Sequence, residues 1–372
     1  MVTTAAQSEQ GMNEIDSKDT GDESFALEQR LVQICGRTHQ LDVIPYLEKL
    51  ERVSYVLINE DEAVRPRDSA GFPGGIVLLR RDLPTIIVPD LHARMDFFLS
   101  TMCFEMPDGS TVLQKLAGDG IQVVCVGDGF HAEGRAAGRW QKAYEEFRTD
   151  YRTHEYMDEE MRESLGVMEM VIEVKSVYPD RFHFLKGNHE NVANEQGNGN
   201  YPFRKYAYEG PMVAQYVLQF CGEEFFETYY EFEKNLPLFA IGRNFLVSHS
   251  EPADFFDREA ILEYRSRPDV IEGLTWTAND EAVEDSVTRM LEEYLENGVV
   301  GEAFYFGGHR PVREQYNLRA NGKYVQIHNP ERFIVALIDP ERPIDLERDV
   351  FEIENVVSSG ICEAKSFRAG GE

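Results

Sequence analysis

Five short apolar runs in this chain each end in side chains that offer oxygen or imidazole nitrogen. Residues 85–88 lead to Asp90 and His92, residues 121–126 to Asp128, and residues 182–185 to Asn188 and His189. Residues 245–248 lead to His249, and residues 303–306 to His309. Open α/β sheets gather their ligand sites at the carboxyl ends of strands. One such residue alone is an ordinary loop residue satisfied by its neighbours. A series of five, all oxygen or imidazole and none thiolate, suits divalent Mn, Fe, Zn or Co. Three oxygen carriers (Asp90, Asp128, Asn188) and three imidazoles (His92, His249, His309) exceed what one ion needs and suffice for two. A shared carboxylate bridges such a pair at about 3.5–4 Å, and Asp128 is central in the series. Two ions would polarise a phosphoryl oxygen and acidify a water between them for in-line attack on phosphorus. His189, beside Asn188, is placed to give the leaving alkoxide its proton.

The elements that must position these groups follow from pattern. Residues 1–22 are polar and acidic and read as disordered. Phe25, Leu27, Leu31, Ile34 and then Val43, Tyr46, Leu47, Leu50 recur at helical spacing, which predicts a helical N-terminal extension over 23–75, broken near 36–41. Residues 76–79 and 85–88 are β-prone runs separated by a turn, and the catalytic unit is expected over 76–345. Within it, strand, helix, strand, helix, strand succeed one another up to Asn188, the pattern of βαβ units. Trp140, Tyr144, Phe147, Tyr151 and Met161, Leu165, Met168, Ile172 keep a spacing of three or four. They predict one long helical insertion over about 133–177 with a core-facing stripe. Gly187 permits a sharp turn before Asn188. A second helical stretch is expected over 211–234 and another near 284–296. Residues 324–327, 333–338 and 351–353 alternate as antiparallel strands do, and 346–372 reads as a last strand and a tail.

Composition bounds the rest. The chain has 372 residues, 42% hydrophobic and 11% aromatic, and a formal charge of −30. Such an acidic chain repels polyphosphate backbones, so no long nucleic acid is expected as a partner. The partner expected is a phosphorylated substrate, and cations at the site must offset the repulsion locally. Cys35, Cys103, Cys125, Cys221 and Cys362 are scattered with no Cys-x-x-Cys, which predicts a reducing, cytoplasmic setting. No apolar run is long enough to span a bilayer.

The motifs resemble the calcineurin-like metallophosphoesterases, most of all their phosphoprotein phosphatase branch. Pro89-Asp90-Leu91-His92 resembles that family's Gly-Asp-x-His, and Gly127-Asp128 its Gly-Asp-x-x-Asp. Lys186-Gly187-Asn188-His189-Glu190 resembles its Arg-Gly-Asn-His-Glu. Leu236-Pro237-Leu238 with Ser248-His249 resembles its Leu-Pro strand pair and His-Gly-Gly. Arg267-Pro268-Asp269-Val270 and Gly273-Leu274-Thr275-Trp276-Thr277 precede His309, where the last ligand histidine would fall. The resemblance covers about residues 80–340. It implies a two-sheet α/β sandwich flanked by helices. It implies one metal on Asp90, His92 and Asp128, a second on Asp128, Asn188, His249 and His309, and His189 as general acid. The implied activity is hydrolysis of a phosphomonoester, of phosphoprotein Ser/Thr or a small molecule. A dinucleotide polyphosphate substrate, or a non-catalytic scaffold that binds phospholigands, are the alternatives. The chain also departs from the pattern. His131 stands where the family's second Asp orients the acid, and either does the same or becomes an extra ligand. Ala132 stands where a phosphate-binding Arg is usual, and Arg135, one turn on, is the favoured substitute over Arg94 and Arg310.

Overall fold

The computed structural model describes residues 21–296 and 300–358; the expectations for the acidic N-terminus and the tail fall largely outside them. Two mixed sheets form the centre. One has six strands in the order β1-β5-β6-β7-β9-β8 and the other five in the order β11-β10-β2-β3-β4. The five-stranded sheet is built on β2 (Thr85–Val88), β3 (Gln122–Cys125) and β4 (Phe182–Phe184), all parallel, with β10 (Ile334–Ile338) antiparallel to β2 and β11 (Val350–Glu352) to β10. In the six-stranded sheet β1 (Ile76–Leu78) is parallel to β5 (Phe239–Ile241), and β5 is antiparallel to β6 (Phe245–Ser248). The strands β6, β7 (Phe304–Gly307) and β9 (Tyr324–Gln326) then run parallel, and β8 (Asn317–Arg319) closes the edge antiparallel to β9.

Period-two alternation explains the layering, because successive side chains of a strand face opposite sides. Ile87, Val124, Val247, Phe306 and Val325 point into an apolar layer between the sheets. Their neighbours Ile86, Val88, Val123 and Cys125 face the other way, onto helices. Those helices are α1 (residues 21–35), α2 (Val43–Ile58), α3 (Met95–Met102), α4 (Val112–Ala117), α5 (Ala137–Arg148), α6 (Glu155–Val177), α7 (Glu209–Tyr216) and α8 (Glu223–Lys234). Leu246 and Tyr305 face a separate cluster under α9 (Arg258–Leu262), α10 (Pro268–Thr275) and α11 (Ser286–Tyr294). The result is a helix–sheet–sheet–helix sandwich.

The N-terminal helices are tied to α6 by charge as well as packing. Lys49 reaches Glu169 at 2.7 Å and Glu173 at 2.8 Å, and Arg37 reaches Glu169 at 2.7 Å. Beyond α2, Glu60 is buried between Arg65 at 2.9 Å and Lys175 of α6 at 2.5 Å.

Two expectations need correction. The long insertion is two helices, α5 and α6, with a turn between them in which Asp150 and Tyr151 take φ of 57° and 51°. The Glu146 carboxylate accepts the backbone N–H groups of Tyr156 and Met157 and so caps the start of α6. The runs 76–79 and 85–88 lie in different sheets, and β9 pairs in parallel with β7 while β10 joins the other sheet.

Candidate metal centre

The five loops that follow β2, β3, β4, β6 and β7 meet on one edge of the sandwich. The five-stranded sheet delivers Asp90, His92, Asp128, Asn188 and His189, and the six-stranded sheet delivers His249 and His309. All are buried except His309, which is partly exposed. The backbone turns hard to aim them: His92, Asp128, His131 and His309 have φ of 43°, 55°, 67° and 64°. For residues other than glycine this region costs of order 1–3 kcal/mol and is concentrated at functional sites. Close approach at Gly308 is also required. A Cβ there would stand 2.8 Å from Cγ of Asp90 and 2.9 Å from its Oδ1.

Four donors form one tight group. His249 Nε2 lies 2.9 Å from Asn188 Oδ1, 3.3 Å from His309 Nδ1 and 3.3 Å from Asp128 Oδ2. His309 Nδ1 lies 2.8 Å from Asn188 Oδ1. His249 Nδ1 is 3.1 Å from the Val126 carbonyl, which fixes its proton there and leaves Nε2 as a lone pair when the ring is neutral. Asn Oδ1 and a carboxylate oxygen only accept, so these lone pairs face one another with too few protons among them. Donors about 2.0–2.2 Å from a zinc-sized ion stand roughly 3.0–3.5 Å apart, close to the spacings seen. The residues therefore fit a divalent cation. Burial alone would push the His249 ring down, but Asp128 and then Asp90 pull it up to about 9, so the carboxylates favour positive charge there, carried by a ring proton or by a cation that replaces it.

Asp128 sits at the middle. Its Oδ2 has His92 Nε2 at 3.7 Å and His189 Nε2 at 3.7 Å besides His249. Its Oδ1 accepts the His189 backbone N–H at 2.9 Å. Burial opposes its ionisation, yet His189, His249 and His92 together hold it well below the usual carboxylate range. The second group contains His92, Glu133 and His328, whose donor atoms lie within 4.8 Å of one another. His92 Nδ1 faces the carbonyls of Phe130 at 3.2 Å and His131 at 3.0 Å, so its Nε2 points into the site. Burial would raise the Glu133 carboxyl, but His92, His328 and Lys205 hold it far below the ordinary value. The Asp90 carboxylate accepts the His309 backbone N–H at 2.9 and 3.1 Å.

His131 is turned away from the carboxylates. Its Nδ1 meets His189 Nδ1 at 2.6 Å, its ring stacks on Phe203 at 5.0 Å, and Trp140 stands edge-on at 5.6 Å. Phe203 also covers His189, with ring centroids 3.8 Å apart. Burial pushes His131 down to about 3 and His189 well below its ordinary value. The loop carrying His131 hangs from α6: Ser164 accepts the His131 N–H and Glu160 the Ala132 N–H, at 3.2 and 2.8 Å. Arg135 is committed elsewhere, to the carbonyls of His92 and Ala93 and to Glu163. Arg94 is buried and spans the carbonyls of Asp90, Leu91 and Asn329. Arg310 is exposed beside His309.

Three residues of this centre carried no role in the sequence reading. His328 follows β9 as the other histidines follow their strands, and that signal was open to view. Glu133 lies in a Gly- and Ala-rich loop with no periodicity to mark it. Glu190 stood in the quoted motif, and its carboxylate accepts the N–H groups of Gly187, Asp128 and Gly129 at 2.6, 2.9 and 2.7 Å, locking the β3 and β4 loops together. Burial and the charge of Asp128 raise that carboxyl to about 7.

No model of a known protein family and no curated protein matches the chain. Solved structures do. A protein serine/threonine phosphatase from Saccharomyces cerevisiae superposes with a TM-score of 0.52 at 14% identity, over 84% of this chain and 90% of that one. A cold-active protein-tyrosine phosphatase from a psychrophilic Shewanella gives 0.42 at 13%, over 75% and 82%. A putative diadenosine tetraphosphatase gives 0.38 at 12%, over 76% and 99%. With its two helix-flanked sheets, the chain shares the fold of that yeast phosphatase.

Proposed function

We propose that this chain is a metal-dependent phosphoric ester hydrolase that cleaves a phosphomonoester at the edge where the two sheets meet. The observation that carries the reading is the convergence of Asp128 Oδ2, Asn188 Oδ1, His249 Nε2 and His309 Nδ1, four ligand-type atoms within ligand-to-ligand distance. They would hold one divalent cation, and Asp90, His92 and Asp128 the other, with Asp128 shared. When bound, such a pair supplies charge that draws in phosphoryl oxygens and lowers the pKa of water.

The chain's own residues do the rest. His189 presents Nε2 to the site while its Nδ1 is held by His131. It can therefore give a proton from Nε2 to a departing alkoxide, and His131 fixes the ring's orientation. Phe203 lies across both rings and keeps water from them. Lys205, 2.9 Å from Glu133, and exposed Arg310 flank the opening. They supply the positive charge that the −30 chain otherwise withholds from a phosphate.

The test is turnover. Protein stripped and reloaded with Mn, Fe, Zn or Co is offered an aryl phosphate, a phosphopeptide panel and a dinucleotide polyphosphate. Hydrolysis that disappears in Asp128→Asn supports the proposal, and the preferred substrate sets the class. Metal-loaded, folded protein that cleaves none of them refutes it.

A further inference from the structure

We propose that Glu133 and His328 are direct ligands of the cation on the His92 side, adding a second imidazole and a further carboxylate to Asp90, His92 and Asp128. The proposal rests on reading the strand-end cluster as cation-binding, and it adds two residues that the motifs did not supply.

The argument is the geometry of a buried cluster with one ring nitrogen left over. His328 is fully buried between two carboxylates, with Nδ1 3.2 Å from Asp90 Oδ2 and Nε2 2.9 Å from Glu133 Oε2. A neutral imidazole carries one N–H. Here Nε2 pairs with Glu133, and Nδ1 is buried with no hydrogen-bond partner although Asp90 Oδ2 stands 3.2 Å away. A cation taking the place of the proton on Nε2 would leave that proton for Nδ1, where Asp90 can accept it, so that no buried nitrogen stays unpartnered. His92 repeats the pattern from the opposite side. Its Nδ1 is committed to the carbonyls of Phe130 and His131, and its Nε2 looks at Glu133 Oε1 from 3.7 Å. The His92 and His328 rings are 5.1 Å apart with Glu133 reaching both. Asp90, beside its part in holding the cation, would orient His328 by accepting its other N–H through Oδ2. Lys205 touches Glu133 Oε1 from outside at 2.9 Å, and its side chain is 43% exposed, so it can swing away when a cation arrives. Imidazoles and carboxylates together suit Zn, Fe(II) or Mn.

The rival occupant is the proton of an ordinary Nε2–H···Glu133 hydrogen bond. Metal content decides between them. Full-length protein is stripped, titrated with Zn(II), and its bound equivalents measured by elemental analysis after dialysis. Wild type is expected to hold two equivalents. His328→Gln and Glu133→Gln are each expected to keep one and to bind the other at least tenfold more weakly. Folding of the variants is followed by circular dichroism. Wild-type protein loaded with Co(II) gives an independent reading that needs no variant: paramagnetically shifted imidazole N–H resonances number four if His328 is a ligand, with His92, His249 and His309, and three if it is not. Two equivalents at wild-type affinity in both variants, or three shifted resonances, overturn the proposal. Wild type that binds no ion would instead sink the cation reading of the whole centre.

Discussion

Gly308→Ala tests the geometry of the centre without touching a donor. The backbone of Gly308 does not need positive φ, so alanine is permitted there and the effect is steric. The new Cβ would stand 2.8 Å from Asp90 Cγ, where ordinary contact begins at 3.4 Å, and closer still to Oδ2. The carboxylate must therefore retreat by roughly 0.6 Å or more, and it has nowhere to go. Asp90 is fully buried, His309 N–H donates to it at 2.9 and 3.1 Å, and His328 Nδ1 stands at 3.2 Å. Overpacking costs about 1–3 kcal/mol, and losing a hydrogen bond to a charged acceptor about 1.5–3 kcal/mol. A loss of about 3 kcal/mol is expected in urea unfolding of the metal-free protein. Displacement of the His309 loop should also weaken the ion on that side at least tenfold, read by calorimetric titration with Zn(II). Gly301→Ala is the control, since a Cβ there meets nothing within 4 Å and should change stability by less than about 0.5 kcal/mol. If Gly308→Ala unfolds and binds metal like wild type, the close packing of Asp90 on the β7 loop is wrong, and the site built on it fails.

Lys175→Met should cost about 3–5 kcal/mol, because it strips one of the two cations that balance buried Glu60. Adding Glu60→Gln should recover part of it, and a single-variant loss below 1 kcal/mol in urea unfolding would refute that ledger. His183, buried beside Lys175, has its imidazole pushed down to about 3 by burial first and Lys175 next. It is neutral when folded and takes up its proton on unfolding below about pH 6.5. Its contribution is thus present above that pH and lost as pH falls toward 3. Between pH 7.5 and 5.5 wild type should lose about 1.4 kcal/mol more than His183→Asn in urea midpoints, and equal slopes would refute the assignment. Reloading stripped protein with Zn(II) at about 100 times Kd should add about 2.7 kcal/mol per ion to unfolding stability. Asn188→Ala should forfeit one such share, and no gain in wild type would refute cation binding by the folded state.

Much of the site was legible because each donor follows a short, fully apolar run, and strand ends are where α/β sheets expose polar groups. Asp90, Asp128, Asn188, His249 and His309 were all found on that rule, and the structure brings them together. His328 obeys the same rule and was passed over, because residues 324–338 looked like one antiparallel unit when β9 and β10 belong to different sheets. Sheet membership cannot be read from Ile76–Leu78 and Thr85–Val88, since both runs are apolar and neither pairs with the other; β1 pairs with β5, and β2 lies between β3 and β10. The break between α5 and α6 was hidden for a local reason. It contains neither Gly nor Pro, and Tyr151 enters the left-handed region held by its packing against Tyr216 and a hydrogen bond to the Met212 carbonyl. Arg135 illustrates the limit of spacing arguments: one helical turn from Ala132 does place it near the centre, but the carbonyls of His92 and Ala93 claim its guanidinium.

The donors come from both halves of the sandwich: Asp128 and Asn188 hang from one sheet, His249, His309 and His328 from the other. An ion held by Asp128, Asn188, His249 and His309 would act as a rivet across an otherwise greasy seam. Pulling the sheets apart would then have to break coordination and expose the apolar layer in the same event, so loss of the ion and parting of the halves become one cooperative transition. The same linkage would make that position a gauge of assembly, since Asp128 and Asn188 gain His249 and His309 only when the two sheets meet.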